Sequence, residues 1–175
     1  MINGAHIFLR ELQATDVDFI YKWENDTENW KVSGTTKPFT KDEIETFVNT
    51  QQDLTLNEQI RYVICLKDSE TPIGTIDLFE FDALQKTIGI GILIGEKSYR
   101  NKGCASETLN LIIDYCRNEL SLVNVFCNIQ KENTTSIRLF EKCGFQFIEE
   151  RVLFDNKVNY YELKTTVILS LSKEK

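Results

Sequence analysis

Between Ile88 and Glu107 the chain reads IGIGILIGEKSYRNKGCASE, passing from a β-branched apolar run through a polar turn into a helix-forming pattern. Ile88–Ile94 suits a buried strand, Gly95–Lys102 the turn, and Ala105 onward a helix with Gly103 at its mouth. A strand feeding a helix in this way leaves the loop and first-turn N–H groups without intrahelical partners, so they converge on one point. The helix dipole adds partial positive charge there. Arg100 and Lys102 flank it. An anion, phosphate above all, is the natural occupant of such a place. The rest of the chain reads as scaffold and substrate wall around it.

Two familiar phosphate loops do not fit. A dinucleotide fingerprint needs G-x-G-x-x-G opening a helix, whereas Gly89, Gly91 and Gly95 lie in or just after the strand. A P-loop needs its lysine after the last glycine, and Lys102 precedes Gly103. What remains is Arg100-x-x-Gly103-x-Ala105. It resembles the (Q/R)-x-x-G-x-(G/A) pyrophosphate loop of the GNAT family of N-acetyltransferases. Two further blocks, Glu132-Asn-Thr-Thr-Ser136 and Leu139-Phe-Glu-Lys-Cys-Gly-Phe145, are similar to that family's RimJ/RimL-type and diamine (spermidine) acetyltransferase branch. The likeness spans roughly residues 6–165.

Composition narrows the classes. A length of 175 residues suits one domain, here taken as residues 1–175, with room for a sizeable core. A net charge of −7 argues against nucleic acid as partner and is compatible with a cationic substrate. Cys65, Cys104, Cys116, Cys127 and Cys143 are odd in number, far apart and mostly within apolar patterns, which fits reduced buried thiols. Soft ligands at metal-binding spacing are absent, and His6 is the only histidine, so no metal is expected. The N-terminus lacks a signal peptide's apolar core and no run reaches membrane-spanning length, so the expected compartment is the cytoplasm.

Taken in order, His6–Arg10 reads as a strand, and Thr15 as the cap of a helix from Asp16. Glu24–Lys37 reads as a polar loop. Thr40 and Glu43 form a capping box opening a helix over Lys41–Asp53. Arg61–Leu66 and Ile73–Phe81 alternate as strands across a turn containing Ser69 and Pro72. Leu109, Ile112, Ile113 and Cys116 form the apolar stripe of a helix over Ala105–Glu119. Val123–Ile129 reads as a strand parallel to Ile88–Ile94. Asn133 caps a helix over Thr134–Lys142 that Gly144 ends, and Gln146–Phe154 pairs with Val158–Leu171. The fold class is α+β: a mixed, mostly antiparallel sheet flanked by helices. The resemblance implies that the two parallel strands splay apart at the cofactor cleft.

The resemblance also implies the chemistry, transfer of an acetyl group from acetyl-CoA, as cosubstrate, to a primary amine by direct attack in a ternary complex. Polyamines, other small amines and protein N-termini are all acceptors that it allows, and a homodimer is the assembly that analogy suggests. On this reading Arg100, Asn101, Lys102, Gly103, Cys104 and Ala105 hold the pyrophosphate. The backbone of Ile92, Leu93 and Ile94 pairs with the pantetheine arm, Asn133 binds it and Phe140 packs against it. An N–H near Leu93 polarises the thioester oxygen. Glu24, Asp26, Glu28 and Asp82 are the candidates for recognising an ammonium group.

An alkylammonium with a pKa of ~10.4 must lose a proton before attack. Relatives often place a glutamate where this chain has Gly89, so Glu80, with Asp82 beside it, is the substitute base. Where many relatives carry a tyrosine as acid this chain has Phe140, and Ser136 becomes the candidate proton donor. Those two departures keep open a second reading, a catalytically weakened acetyl-CoA-binding module acting as a sensor or subunit.

Overall fold

The computed structural model describes residues 1–33, 35–50, 52–153 and 155–165, with 31–33 as backbone. Phe154 and residues 166–171 of the expected last strand lie outside the described residues. The strands are β1 (Ile2–Asn3), β2 (Ile7–Glu11), β3 (Ile60–Leu66), β4 (Pro72–Asp82), β5 (Thr87–Ile94), β6 (Asn124–Gln130), β7 (Gln146–Leu153) and β8 (Asn156–Lys164). They form one sheet in the order β1-β2-β3-β4-β5-β6-β8-β7, antiparallel throughout except for the parallel pair β5–β6. The helices are α1 (Val17–Glu24), α2 (Thr27–Ser33), α3 (Lys41–Asn49), α4 (Leu54–Asn57), α5 (Cys104–Asn118) and α6 (Thr134–Lys142). The expected α+β architecture with one parallel pair is what the chain adopts. Among the described residues no helix is long and apolar enough to cross a membrane.

Successive residues of a strand point to opposite faces, and the sheet uses both. On one face Ile88 and Ile90 join Ile7, Leu9, Ile64 and Leu78 against Leu109 and Ile112 of α5, all essentially inaccessible to solvent. Burying each such side chain contributes roughly 1.5–3 kcal/mol. On the other face Leu93 packs against Val17, Ile20 and Trp23 of α1 and Ile44 and Val48 of α3. The stripe expected along α5 is therefore its buried face. All five thiols are free and four are buried, and burial pushes Cys116 up to about 12.

Several boundaries differ from the sequence reading, each for a physical reason. Thr15 does not cap α1. A 3-10 turn over Ala14–Asp16 precedes the helix, and buried Asp16 accepts from Gln13 N–H (2.8 Å) and from both Arg10 terminal nitrogens (2.7 and 2.8 Å). The Thr40–Glu43 capping box is present, but α3 stops at Asn49. Asp53, taken as that helix's end, opens α4 by accepting from Thr55 and Leu56 N–H. The polar stretch Glu24–Lys37 contains α2, which lacks an apolar stripe. Asp26 accepts from Glu28 N–H, Asn29 donates to Trp23 C=O, and Trp30 Nε1 donates to Glu24 C=O (2.7 Å), fastening it to α1. Pro72 begins β4 rather than lying in the turn.

The first turn of α5 is moored by Glu107, whose carboxylate accepts from His6 N–H (2.8 Å), Ile7 N–H (3.3 Å) and His6 Nδ1 (3.1 Å). Partial burial opposes ionisation of Glu107, but the His6 and Ile7 donors outweigh it and hold the carboxyl below its usual range. A carboxyl lowered on folding stabilises the native state above its unfolded pKa of ~4.3, and loses that contribution as pH falls through the native value. Glu107→Gln should therefore cost about 1–3 kcal/mol near neutrality, read by denaturant unfolding. The gap from the parent should close as the buffer is taken to pH ~3; a pH-independent gap would reject the carboxylate as the cause.

Candidate active site

β5 and β6 pair through only three residues, Thr87, Ile88 and Gly89 against Asn124, Val125 and Phe126. Beyond that point β6 continues against β8 through Gln130, while β5 runs on to Ile94 paired with β4 alone. The two parallel strands thus separate, and one edge of Ile90–Ile94, including Ile92, Leu93 and Ile94, is left without a strand partner among the described residues. An unpartnered strand edge offers alternating N–H and C=O groups to any extended amide chain laid beside it.

The loop after β5 ends at the mouth of α5. Arg100 is extended, Asn101 (φ 59°) and Gly103 (φ 87°) are left-handed, and the first bond into the helix is Glu107 N–H to Gly103 C=O. Cys104, Ala105 and Ser106 N–H groups therefore have no intrahelical acceptor, and the change of hand before them gathers neighbouring N–H groups into an anion-binding concavity. A Cβ at Gly103 would meet nothing within 4 Å, so the approach is open and the glycine is required by its φ. Lys102 is exposed, its Nζ 5.3 Å from the Tyr99 ring centre.

The Arg100 side chain is engaged by protein groups. Its Nε donates to Ile94 C=O and a terminal nitrogen to Asn29 Oδ1, both at 2.9 Å, so the guanidinium braces the loop between the end of β5 and α2. Two further ties run the same way. Glu96 accepts from Lys22 Nζ (2.6 Å) and Trp23 Nε1 (2.9 Å), and Lys97 bridges Asp26 (3.1 Å) and Glu28 (2.8 Å). The Glu28 N–H and then Lys97 hold the Asp26 carboxyl below its usual range. Glu24 lies apart from these, bonded to Arg61 (2.6 Å), which Asp77 chelates at 2.5 and 2.9 Å. Burial works against the Arg61 charge, but Asp77 and Glu24 outweigh it and raise its pKa. Each of the three α1–α2 carboxylates thus already has a cationic partner.

Glu80 and Asp82 are brought together elsewhere, on the irregular end of β4 where the register with β5 shifts. With Glu58 they line a cavity of about 620 Å³ whose apolar wall includes Phe81 and Phe126. Asp82 accepts from Leu84 and Gln85 N–H (both 2.8 Å), while Glu80 has no hydrogen bond or ion pair among the described residues.

At Gly89 the structure supplies what the sequence reading lacked. Phe79 is its partner on β4, and a Cβ added at Gly89 would lie 2.4 Å from the Phe79 ring. The ring covers Gly89 and reaches Gly91, meets Phe126 edge-on at 5.9 Å, and Phe126 in turn meets Tyr160 at 5.6 Å. An aromatic row therefore crosses the sheet where β5 and β6 part. Two glycines at strand spacing, opposite an aromatic strand, were the available signal.

On α6, Asn133 Oδ1 accepts from Ser136 N–H (3.1 Å), leaving the Asn133 amide nitrogen and the half-buried Ser136 hydroxyl without hydrogen bonds among the described residues. Phe140 is 3 % exposed and packs edge-on against Phe145, within the core. Among the described residues no cluster of His, Cys, Asp or Glu is placed to hold a metal ion.

Comparison with known proteins gives a consistent answer. The acetyltransferase (GNAT) domain family matches residues 6–146. The N-acetyltransferase p20 of Bacillus licheniformis is 31 % identical over 140 residues, covering 79 % of this chain and 78 % of the relative. The spermidine N(1)-acetyltransferase of Vibrio cholerae is 26 % identical over 171 residues, covering 95 % and 94 %. Among solved structures, spermidine N-acetyltransferase from Vibrio cholerae in complex with CoA and spermine superposes with a TM-score of 0.81 at 23 % identity, covering 91 % of this chain and 96 % of that one.

The Phe79–Gly89 contact has a direct test. Gly89→Glu should destabilise the fold by about 1–3 kcal/mol through overpacking. Combined with Phe79→Ala it should cost less than the two changes summed, with a coupling of about 0.5–3 kcal/mol in a double-mutant cycle followed by denaturant unfolding. Strict additivity would mean that the ring does not occupy the space above Gly89.

Proposed function

This chain belongs to the GNAT family of acetyltransferases, and on that footing we propose that it transfers the acetyl group of acetyl-CoA to the primary amine of a small cationic acceptor, a polyamine foremost. The separation of β5 from β6 beyond Gly89 carries the reading, because it joins an open strand edge to a helix mouth rich in unpaired N–H groups. Those features fit the cosubstrate. The N–H groups from Asn101 to Ser106 hold its pyrophosphate, Ile92–Ile94 pair with its amides, and Asn133 adds a donor. When bound, acetyl-CoA supplies an activated acyl carbon.

The acceptor reading is supported by the carboxylate-lined cavity beside Phe126 and by the spermidine acetyltransferase among the relatives. Glu58, Glu80 and Asp82 favour an alkylammonium there, and Phe81 and Phe126 favour its methylenes. Glu80, free of any cation, takes the proton from the amine directly or through a water. Asp77 is already engaged, both of its carboxylate oxygens accepting from the Arg61 guanidinium. An N–H near Leu93 faces the acyl oxygen, and the Ser136 hydroxyl holds the proton that the leaving sulfur takes. The protein works as one domain, in the cytoplasm.

The reading is tested by thiol release from acetyl-CoA with spermidine, other small amines and N-terminal peptides. Turnover should be greatest with spermidine-like amines, and turnover confined to peptides would replace the acceptor class. Gly103→Val should remove acetyl-CoA binding in calorimetry, since a branched residue strains the left-handed backbone and closes the approach; undiminished affinity would dissolve the loop assignment. Glu80→Gln should lower kcat about a hundredfold or more with acetyl-CoA affinity intact, and Ser136→Ala should lower it by less. Equal kcat in Glu80→Gln and the parent would send the search for a base elsewhere.

A further inference from the structure

Asn124, Phe126 and Asn128 of β6 alternate onto one face of the sheet, where Asn128 stands opposite Tyr160 of β8. The pairing of β5 with β6 matches Gly89 to Phe126 and then stops. Carried on at the same offset it would set Gly91 opposite Asn128, so Asn128 occupies the first level of this face past the separation. Across the gap the wall is bare, because Gly91 has no side chain and the Phe79 ring lies 3.7 Å from where its Cβ would be. The charged and titratable neighbours of this level are already engaged. Asp77, the β4 partner of Gly91, has both oxygens on Arg61. On β8, Glu162 accepts from Tyr160 (2.8 Å) and from Lys164 (3.1 Å), and the Arg151 guanidinium lies 3.3 Å from the Tyr160 ring centre. The half-buried Asn128 side chain is left with no hydrogen bond among the described residues.

We infer that Asn128 positions the acceptor amine, its Oδ1 accepting the one N–H that the nitrogen keeps throughout the reaction. The inference rests on the acetyl transfer proposed above. In that reading Ile94 to Ile92 pair with the arm that descends from the α5 mouth, so Gly91 and Asn128 flank the place of the thioester. A primary alkylammonium brings three N–H bonds. One proton goes to Glu80, which frees the lone pair. That pair forms the C–N bond while the C–S pair leaves with the sulfur, and a second proton replaces the one that Ser136 gives to the sulfur. The third N–H remains in the amide product. A donor shut away from water needs an acceptor at every stage, and this one must bind without holding the nitrogen in its protonated form. A carboxylate would favour the ammonium over the free amine and hold back the attack. A neutral amide oxygen meets the requirement. Asn128 supplies it two residues along β6 from Phe126, a wall of the carboxylate-lined cavity. The carboxylates attract the cation, and Asn128 orients the nitrogen that reacts.

Steady-state kinetics of the full chain across a pH series, with acetyl-CoA and whichever amine of the panel above turns over best, test this beside calorimetry of acetyl-CoA. Asn128→Leu should lower kcat about tenfold or more with acetyl-CoA affinity unchanged. Asn128→Asp should move the rising limb of the kcat profile up by about one pH unit or more, because a carboxylate beside the bound nitrogen holds its proton. A residue that only shapes the fold would leave that limb in place, and the near-isosteric Asp variant keeps the question open to measurement should the Leu variant misfold. A limb that stays where the parent has it overturns the inference and leaves the acetyl transfer standing, as does an Asn128→Leu kcat equal to the parent's. A loss of acetyl-CoA affinity that matches the loss of kcat also overturns it, by placing the side chain on the cosubstrate. A parent that turns over no amine removes the acetyl-transfer reading, and this inference with it.

Discussion

The arrangement of the site depends on one connection. Two parallel neighbours in a sheet cannot be joined by a hairpin, so the chain must cross over between them, and here α5 makes the crossing. It starts after β5 and returns the chain to β6, which fixes the N-terminus of α5 at the end of β5. The strand's last residues and the helix's unpaired N–H groups are therefore neighbours by topology. What remains is to keep β6 from sealing the edge of β5. β8 holds β6 along seven residues, and the aromatic row of Phe79, Phe126 and Tyr160 fills the other face where the strands diverge.

The wall formed by α1 and α2 is part of the same body as the anion loop. Glu96, Lys97 and Arg100 each reach across to it, through Lys22 and Trp23, Asp26 and Glu28, and Asn29 respectively. Exposed ion pairs such as those of Lys97 contribute little individually. The buried Asn29 amide matters more, because it donates to Trp23 C=O and accepts from Arg100 and leaves neither partner unsatisfied. Arg61 plays a comparable part beneath the wall, where it joins Glu24 of α1 to Asp77 of β4 and losing either carboxylate would leave its largely buried guanidinium one partner short.

What could be read from sequence was what is decided locally. The Thr40–Glu43 box, the Asn133 cap and the Leu109–Cys116 stripe depend on residues within a few turns, and all were legible. The glycine at the mouth of α5 was legible too, although the left-handed φ of 87° that requires it came only with the structure. α2 was not legible, because it has no apolar stripe and rests on side chains of α1. Nor was the start of α1, since Asp16 takes its cation from Arg10 on β2. In the site the same division holds. The carboxylates at Glu24, Asp26 and Glu28 were visible as acidic residues, but their partners Arg61 and Lys97 lie on other elements. Gly89 was visible as a missing side chain, while Phe79, which takes its space, depends on the register between two strands.

The Arg100 brace has a further meaning when set against the entropy of binding. A loop that had to order itself around an anion would lose backbone freedom at that moment, and that loss would be subtracted from the affinity. In this chain the stretch from Gly95 to Gly103 is bolted to Ile94 and Asn29 by one guanidinium. Its disorder is surrendered when the chain folds, and the anion meets a preorganised receptor. Affinity at the loop is thereby tied to the integrity of α2, the element that carries Asn29.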